Sequence, residues 1–258
     1  MPITIDACAA QHQGDRTEQQ DRVAILAHGR QRGVALAVVA DGMGGHAGGA
    51  LAAEQVVHTA RTSLEHFSSA TESSREMLEN SMLEAHTMIK ASRFINEKDP
   101  HSTVVMLLLQ PGKVSWAHCG DSRLYRFRGT DTLFRSVDHS YVEHLVSIGR
   151  ITPEEALVHP NRNVLITSLG GKDAPKFSFG EADDLTDGDI FMLCSDGLWP
   201  YFEEPEMARI MAENSARAAS EILIDLARTR AAGSGDNVSV VIIKFKDAKP
   251  ASAAVAPR

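Results

Sequence analysis

Apolar positions along the chain fall into two rhythms. Short apolar or alternating runs predict strands over residues 3–9, 22–27, 34–40, 103–109, 113–119, 122–128, 131–137, 190–194 and 237–245. Pro111-Gly112 and Gly129-Thr130 are turn-length links between successive runs, so the neighbouring strands are expected to pair antiparallel. Helical spacing takes over at 48–67, where Ala53, Val57, Ala60, Leu64 and Phe67 recur on one face. It holds again at 74–96 through Leu78, Met82, Ala85 and Ile89, and a third helix is predicted over 215–231.

The order is strands, a helix pair, many antiparallel strands, then helices and a last strand. That order disfavours regular βαβ alternation and favours a layered α+β domain. Between Asp138 and Phe177 the pattern breaks into helical fragments at 141–147 and 153–157, and 159–163 cannot be a central strand. A structured excursion of this length is expected to be a lid or binding loop that influences substrate choice. One domain is expected over 1–246, with the excursion at about 138–177. Residues 247–258, rich in Ala and Pro, are expected to be a disordered tail.

Composition narrows the partners. With 34 acidic residues against 26 Lys and Arg, the net charge of −8 argues against nucleic acid or an anionic membrane as the main partner. The longest apolar runs, 34–40 and 104–109, are strand-length and too short to cross a bilayer. Cys8, Cys119 and Cys194 are odd in number and widely spaced, as free thiols in a reducing compartment would be, so a cytoplasmic location is expected.

The chemistry sits in a recurring arrangement of aspartates. Val38-Val39-Ala40 ends at Asp41-Gly42, and Ala117-His118-Cys119 ends at Gly120-Asp121. Met192-Leu193-Cys194 leads through Ser195 to Asp196-Gly197, and Gly235-Asp236 stands just before the last strand. A single Asp-Gly most often only makes a turn. Four of them at strand ends, each beside a glycine that permits close approach, point to a metal cluster. Gathered together they would repel, by about 4 kcal/mol for a pair 4 Å apart at an effective dielectric of ~20. No lysine stands beside them. An oxygen-only set selects hard cations, Mg²⁺ or Mn²⁺ rather than Zn²⁺.

At this point the chain resembles the PP2C-type metal-dependent protein phosphatases in their bacterial form. The resemblance is carried in order by Gly14-Asp15-Arg16 with Gln20-Asp21, Asp41-Gly42-Met43-Gly44-Gly45-His46, Ser102-Thr103, Gly120-Asp121-Ser122-Arg123, Asp138-His139-Ser140, His159-Pro160 through Asn163, Ser195-Asp196-Gly197-Leu198-Trp199 and Gly235-Asp236-Asn237. It implies a four-layer αββα sandwich of two antiparallel sheets flanked by helix pairs, with a flap near the active site. It also implies phosphoserine/phosphothreonine hydrolysis by a metal-activated water. In that scheme Asp41, Asp196 and Asp236 hold two ions, with the Gly42 carbonyl as a further ligand and Asp21 orienting water from behind. Asp121 with Asp196 forms a third metal site, and Arg16 clamps the phosphate. The implied partners are phosphorylated Ser/Thr proteins and a cognate bacterial Ser/Thr kinase, the enzyme acting as a monomer.

Three positions depart from the family pattern. Met43 replaces a histidine proposed as general acid in many eukaryotic members, leaving His46 or water for that role. Gln20 replaces an acid, and His101 replaces a glycine. His139 and His159 are expected to be structural. Two other functions compete. Gly42-x-Gly44-x-x-Ala47 after an apolar strand satisfies a dinucleotide-binding fingerprint, although a second parallel strand should then follow the helix. A non-catalytic binding module on the phosphatase fold is the other.

Overall fold

The apolar runs become the middle strands of two sheets. The computed structural model describes residues 3–44, 47–96 and 99–247. In chain order the strands are β1 (Ile3–His12), β2 (Arg22–Ala27), β3 (Ala35–Ala40) and the two-residue β4 (Gly42–Met43). Helices α1 (Ala47–His66) and α2 (Ser74–Asn96) follow, then β5 (His101–Ser102), β6 (Val104–Gln110), β7 (Lys113–Cys119), β8 (Arg123–Arg128) and β9 (Asp131–Arg135). The flap carries α3 (Tyr141–Ser147) and α4 (Pro153–Leu157). The chain closes with β10 (Ser178–Ala182), β11 (Asp189–Cys194), α5 (Glu204–Glu213), α6 (Ala216–Ala231) and β12 (Val238–Asp247).

One sheet has the order β1-β12-β11-β8-β9 and the other β10-β7-β6-β3-β2. Their pairings are antiparallel throughout. Alternate residues of the central strands point to opposite faces, and both faces are buried. Val39, Leu107, Trp116, Phe191, Leu193 and Val241 interleave between the sheets. Val38, Met106 and Leu108 meet Val56, Leu64, Leu78 and Met82 of α1 and α2. On the opposite side, Met192, Val240 and Ile242 meet Met207, Met211, Leu223 and Ala227 of α5 and α6. The result is the expected four-layer sandwich.

Because α1 leads into α2 and not into a parallel strand, the glycines after β3 do not open a dinucleotide-binding βαβ unit. Among the described residues no helix is long and apolar enough to cross a membrane. Asp247, assigned to the tail on composition, is the last residue of β12 and pairs with Ile3. The rest of that expected tail lies outside the described residues.

The flap is tied down at its base. The Ser140 side chain accepts from the Glu143 N–H and starts α3, and Thr152 with Glu155 forms a reciprocal cap on α4. Leu169 and Ser102 exchange backbone hydrogen bonds of 2.9 and 3.1 Å, and Ile166 N–H donates to His139 C=O at 2.9 Å. These anchors carry the returning segment of the flap past Ser102, next to the Asp41 turn.

Candidate active site

Asp21, Asp41 and Asp236 are each held by their peptide or by a neighbour. The Asp41 N–H donates to Thr103 Oγ1 at 3.2 Å, and its carbonyl accepts from Thr103 N–H at 2.9 Å and from Ser102 Oγ at 3.1 Å. Asp21, 1% exposed, accepts from Ser195 Oγ at 2.8 Å. Asp236 accepts through Oδ1 from the Asn237 N–H at 2.8 Å and through Oδ2 from Arg16 Nη2 at 2.6 Å. Asn237 staples the loop that carries Arg16. Its Oδ1 accepts from Gln20 N–H at 2.7 Å, and its Nδ2 donates to the carbonyls of Gln13 and Glu18 at 2.7 and 3.0 Å.

Two glycines make the convergence possible. A Cβ at Gly42 would lie 2.0 Å from the Gly49 carbonyl oxygen of α1, and one at Gly197 would lie 2.0 Å from the Asn237 carbonyl oxygen. Neither neighbour is a side chain that could swing away, so any larger residue would separate the segments.

The aspartates surround a cleft of about 470 Å³. Arg16, Asp41, Gly42, Asp121, Asp196 and Asp236 line it, together with Thr17, Glu18, Gln20, Met43, Asn163, Leu165 and Asn237. Asp21 is behind this wall, buried against Ser195. Six of the seven residues singled out from sequence therefore border one cleft, and the seventh supports it. The Gly42 carbonyl lies against α1, where a Cβ on Gly49 would sit 2.5 Å from it.

The electrostatics of this cluster are costly. Burial, and then repulsion from Asp21, Asp196 and Asp121, raises Asp41 well above the ordinary carboxylate range. Burial, then Asp196, does the same to Asp121. Burial raises Asp21 to about 7 despite the Ser195 hydrogen bond, and raises Asp196 to about 6 with Asp236 as the next cause. Arg16 is pushed the other way, its charge reinforced first by Asp236 and more weakly by Asp196 and Asp41.

Uncompensated carboxylates with oxygen-only chemistry fit a hard divalent cation. Among the described residues no three His, Cys, Asp or Glu side chains stand close enough to hold an ion as they lie. Mutual repulsion opposes such an approach, and Arg16 already occupies one oxygen of Asp236. The donor set matches Mg²⁺ or Mn²⁺.

A family model described as "Protein phosphatase 2C" matches residues 8–229. The chain belongs to the protein phosphatase 2C family. Protein phosphatase PhpP of Streptococcus pneumoniae is 30% identical over 238 residues, covering 90% of this chain and 94% of that protein. The solved serine/threonine phosphatase of S. agalactiae superposes with a TM-score of 0.85 at 27% identity, over 93% of this chain and 99% of that one. The catalytic domain of PstP, solved with two manganese ions, gives a TM-score of 0.79 at 26% identity over 95% of this chain and all 100% of that one. This member of the family is thus an enzyme, a protein phosphatase.

Several residues that build the phosphatase site were not assigned roles from sequence. Thr103, Ser195 and Asn237 hold Asp41, Asp21 and the Arg16 loop respectively. Ser195 and Asn237 adjoin aspartate motifs, and Thr103 belongs to the separate Ser102-Thr103 element, but none of the three signals a partner by itself. Met43 lines the cleft, as a thioether with no proton to give. His46 lies outside the described residues. His101 gains an account: Arg93 Nη2 donates to its Nε2 at 2.8 Å, and its Nδ1 hydrogen-bonds Ser168 Oγ at 3.1 Å, tying α2 to the end of the flap. His139 and His159 accept backbone N–H groups, from Gly120 at 3.3 Å and Asn161 at 3.1 Å, as structural histidines do.

Proposed function

We propose that this phosphatase hydrolyses phosphoserine and phosphothreonine in proteins, using two divalent cations held by Asp41, Asp196 and Asp236. The supporting observation is one cleft in which these carboxylates face Arg16, in a chain of the protein phosphatase 2C family. When bound, the cations supply Lewis acidity and a water acidified toward neutral pH. Arg16 presents a planar donor fork suited to a phosphoryl group, and it reaches that group by leaving Asp236. Asp21 and Ser195 orient water from behind the carboxylates. Asp121 with Asp196 provides a place for a third ion. Charge on the equatorial oxygens is countered by Arg16 in an in-line displacement, with no covalent phosphoenzyme required.

The physiological setting belongs to the same proposal. The enzyme works as a cytoplasmic monomer against a cognate Ser/Thr kinase, its catalytic domain spanning residues 1–246. PstP solved with manganese supports Mn²⁺ as a working ion, and Mg²⁺ has the same ligand preference. The test is phosphate release from a phosphothreonine peptide with Mn²⁺, with Mg²⁺ and with EDTA, comparing wild type with Asp196→Asn. Release that needs metal and disappears in the folded variant supports the assignment. Near-normal turnover by Asp196→Asn would sink it.

A further inference from the structure

Trp199 joins three parts of the site. It follows Asp196 by three residues and opens the short 3-10 turn Trp199–Tyr201. Its indole Nε1 donates to the Asp121 carbonyl at 3.1 Å. The Arg123 guanidinium lies over its ring, 3.4 Å from the centroid. That guanidinium is held in turn, donating through Nε and Nη2 to the two Asp138 oxygens at 2.8 Å each and through Nη1 to the Tyr125 hydroxyl at 3.1 Å. Arg123 and Asp138 have only 13% and 8% of their side-chain surface exposed, so their pair is shielded from solvent screening.

Asp138 opens the flap. The next residue, His139, donates its backbone N–H to the Gly120 carbonyl at 2.9 Å. The turn carrying Asp121 is therefore gripped at Gly120 by the flap base and at its own carbonyl by Trp199. Two carboxylates of like charge on opposing turns repel, and without a tether the turns would part.

We propose that Trp199 is a positioning residue which, clamped by the Arg123–Asp138 pair, holds the Asp121 turn against the Asp196 turn and sets the spacing of the two carboxylates. The inference rests on the proposed function but is tested separately from it. Phenylalanine at 199 keeps an aromatic ring under Arg123 while removing the indole donor together with one ring of the bicycle. A slip of about 1 Å in a reacting geometry costs on the order of 10²-fold. Trp199→Phe should accordingly lower kcat on a phosphothreonine peptide roughly 5–50-fold, with KM moving less than about twofold.

The deciding comparison uses the full chain as wild type, Trp199→Phe, Asp121→Asn and the double variant, with Mn²⁺. A residue acting through Asp121 leaves the double variant no slower than Asp121→Asn alone. Multiplying effects, an unaffected Trp199→Phe, or an Asp121→Asn with full activity each overturn the proposal. If Trp199→Phe fails to fold, Asp138→Asn stands in, with the same non-additivity required. A readout without turnover is Mn²⁺ titrated against tryptophan emission. The chain has 2 tryptophans, and Trp116 is buried between the sheets. Asp121→Asn should abolish the emission change seen in wild type, and emission indifferent to Mn²⁺, or to this substitution, refutes the coupling. Absent hydrolysis in a wild type whose emission responds would instead count against the proposed function.

Discussion

Replacing Asp196 with asparagine should stabilise the metal-free protein while removing its activity. The carboxyl of Asp196 is raised to about 6 by burial and by Asp236, against an ordinary value of 3.8. Holding it ionised above both values costs about 3 kcal/mol of folding free energy. The side chain opens partly onto the cleft, so water recovers some of this and about 1–2 kcal/mol remains for asparagine to relieve. For a domain of this size that is a rise of roughly 2–8 °C in Tm.

The pH dependence follows from the direction of the shift. With the folded value above the unfolded one, the native state keeps the proton longer. The penalty is absent below about 3.8 and grows as pH rises through about 6. The gap between variant and wild type in EDTA should thus be full at pH 7.5, narrower at pH 5 and closed near pH 4. Saturating Mn²⁺ should invert the order, since an ion at 100 times its Kd stabilises wild type by about 2.7 kcal/mol and the variant by less. Thermal denaturation in EDTA and in Mn²⁺ across that pH range measures all of this. If Asp196→Asn lowers the metal-free Tm at pH 7.5, Asp196 is a turn-making residue and the strained-cluster reasoning is wrong.

The remaining predictions concern Arg16 and His139. Arg16→Ala should reduce kcat/KM at least 10-fold, on the scale of a lost charge-assisted phosphate contact, and should tighten Mn²⁺ binding several-fold because Asp236 loses a competing cation. Calorimetric titration without phosphate checks the second effect, and unchanged or weaker Mn²⁺ binding refutes the competition. Burial, then His118 and Lys176, lowers His139 to about 4 from an ordinary 6.5. Its folded value is depressed, so it has no effect above pH 6.5 and destabilises progressively as pH falls toward 4, by ~2–3 kcal/mol at most. The aspartates respond in the opposite sense, so the quantity to measure is the difference in urea stability between wild type and His139→Gln at pH 7 and pH 5. A difference that does not change with pH contradicts the assignment.

Local pattern carried the fold wherever an element buries a face of its own. Strands β2 and β7 and helix α2 coincide with their expected bounds, because an apolar run, an apolar/polar alternation or a repeating apolar face marks them without help from the rest of the chain. Helix α5 was missed because it buries only Met207, Ala208 and Met211 over two turns, too short a stripe to establish a period. Strand β10 was missed for a different reason. It is an edge strand whose Gly180 lies flat on the Trp116 ring, where a Cβ would come within 2.4 Å, so its place is decided by β7 and not by its own composition.

The site divides along the same line. Asp41, Asp121, Asp196 and Asp236 were legible because each carries its own strand-end and glycine context. What neutralises and aims them was not. The cation that pairs with Asp236 is Arg16, which reaches it across 220 residues of sequence. Ser195 reaches Asp21 across 174 residues, and Trp199 reaches the Asp121 carbonyl across 78. Ligands can be read from short motifs because a cation asks only for oxygen at a rigid mount. Their alignment arises from pairings between distant turns, so it is at those pairings that substitutions should separate stability from turnover.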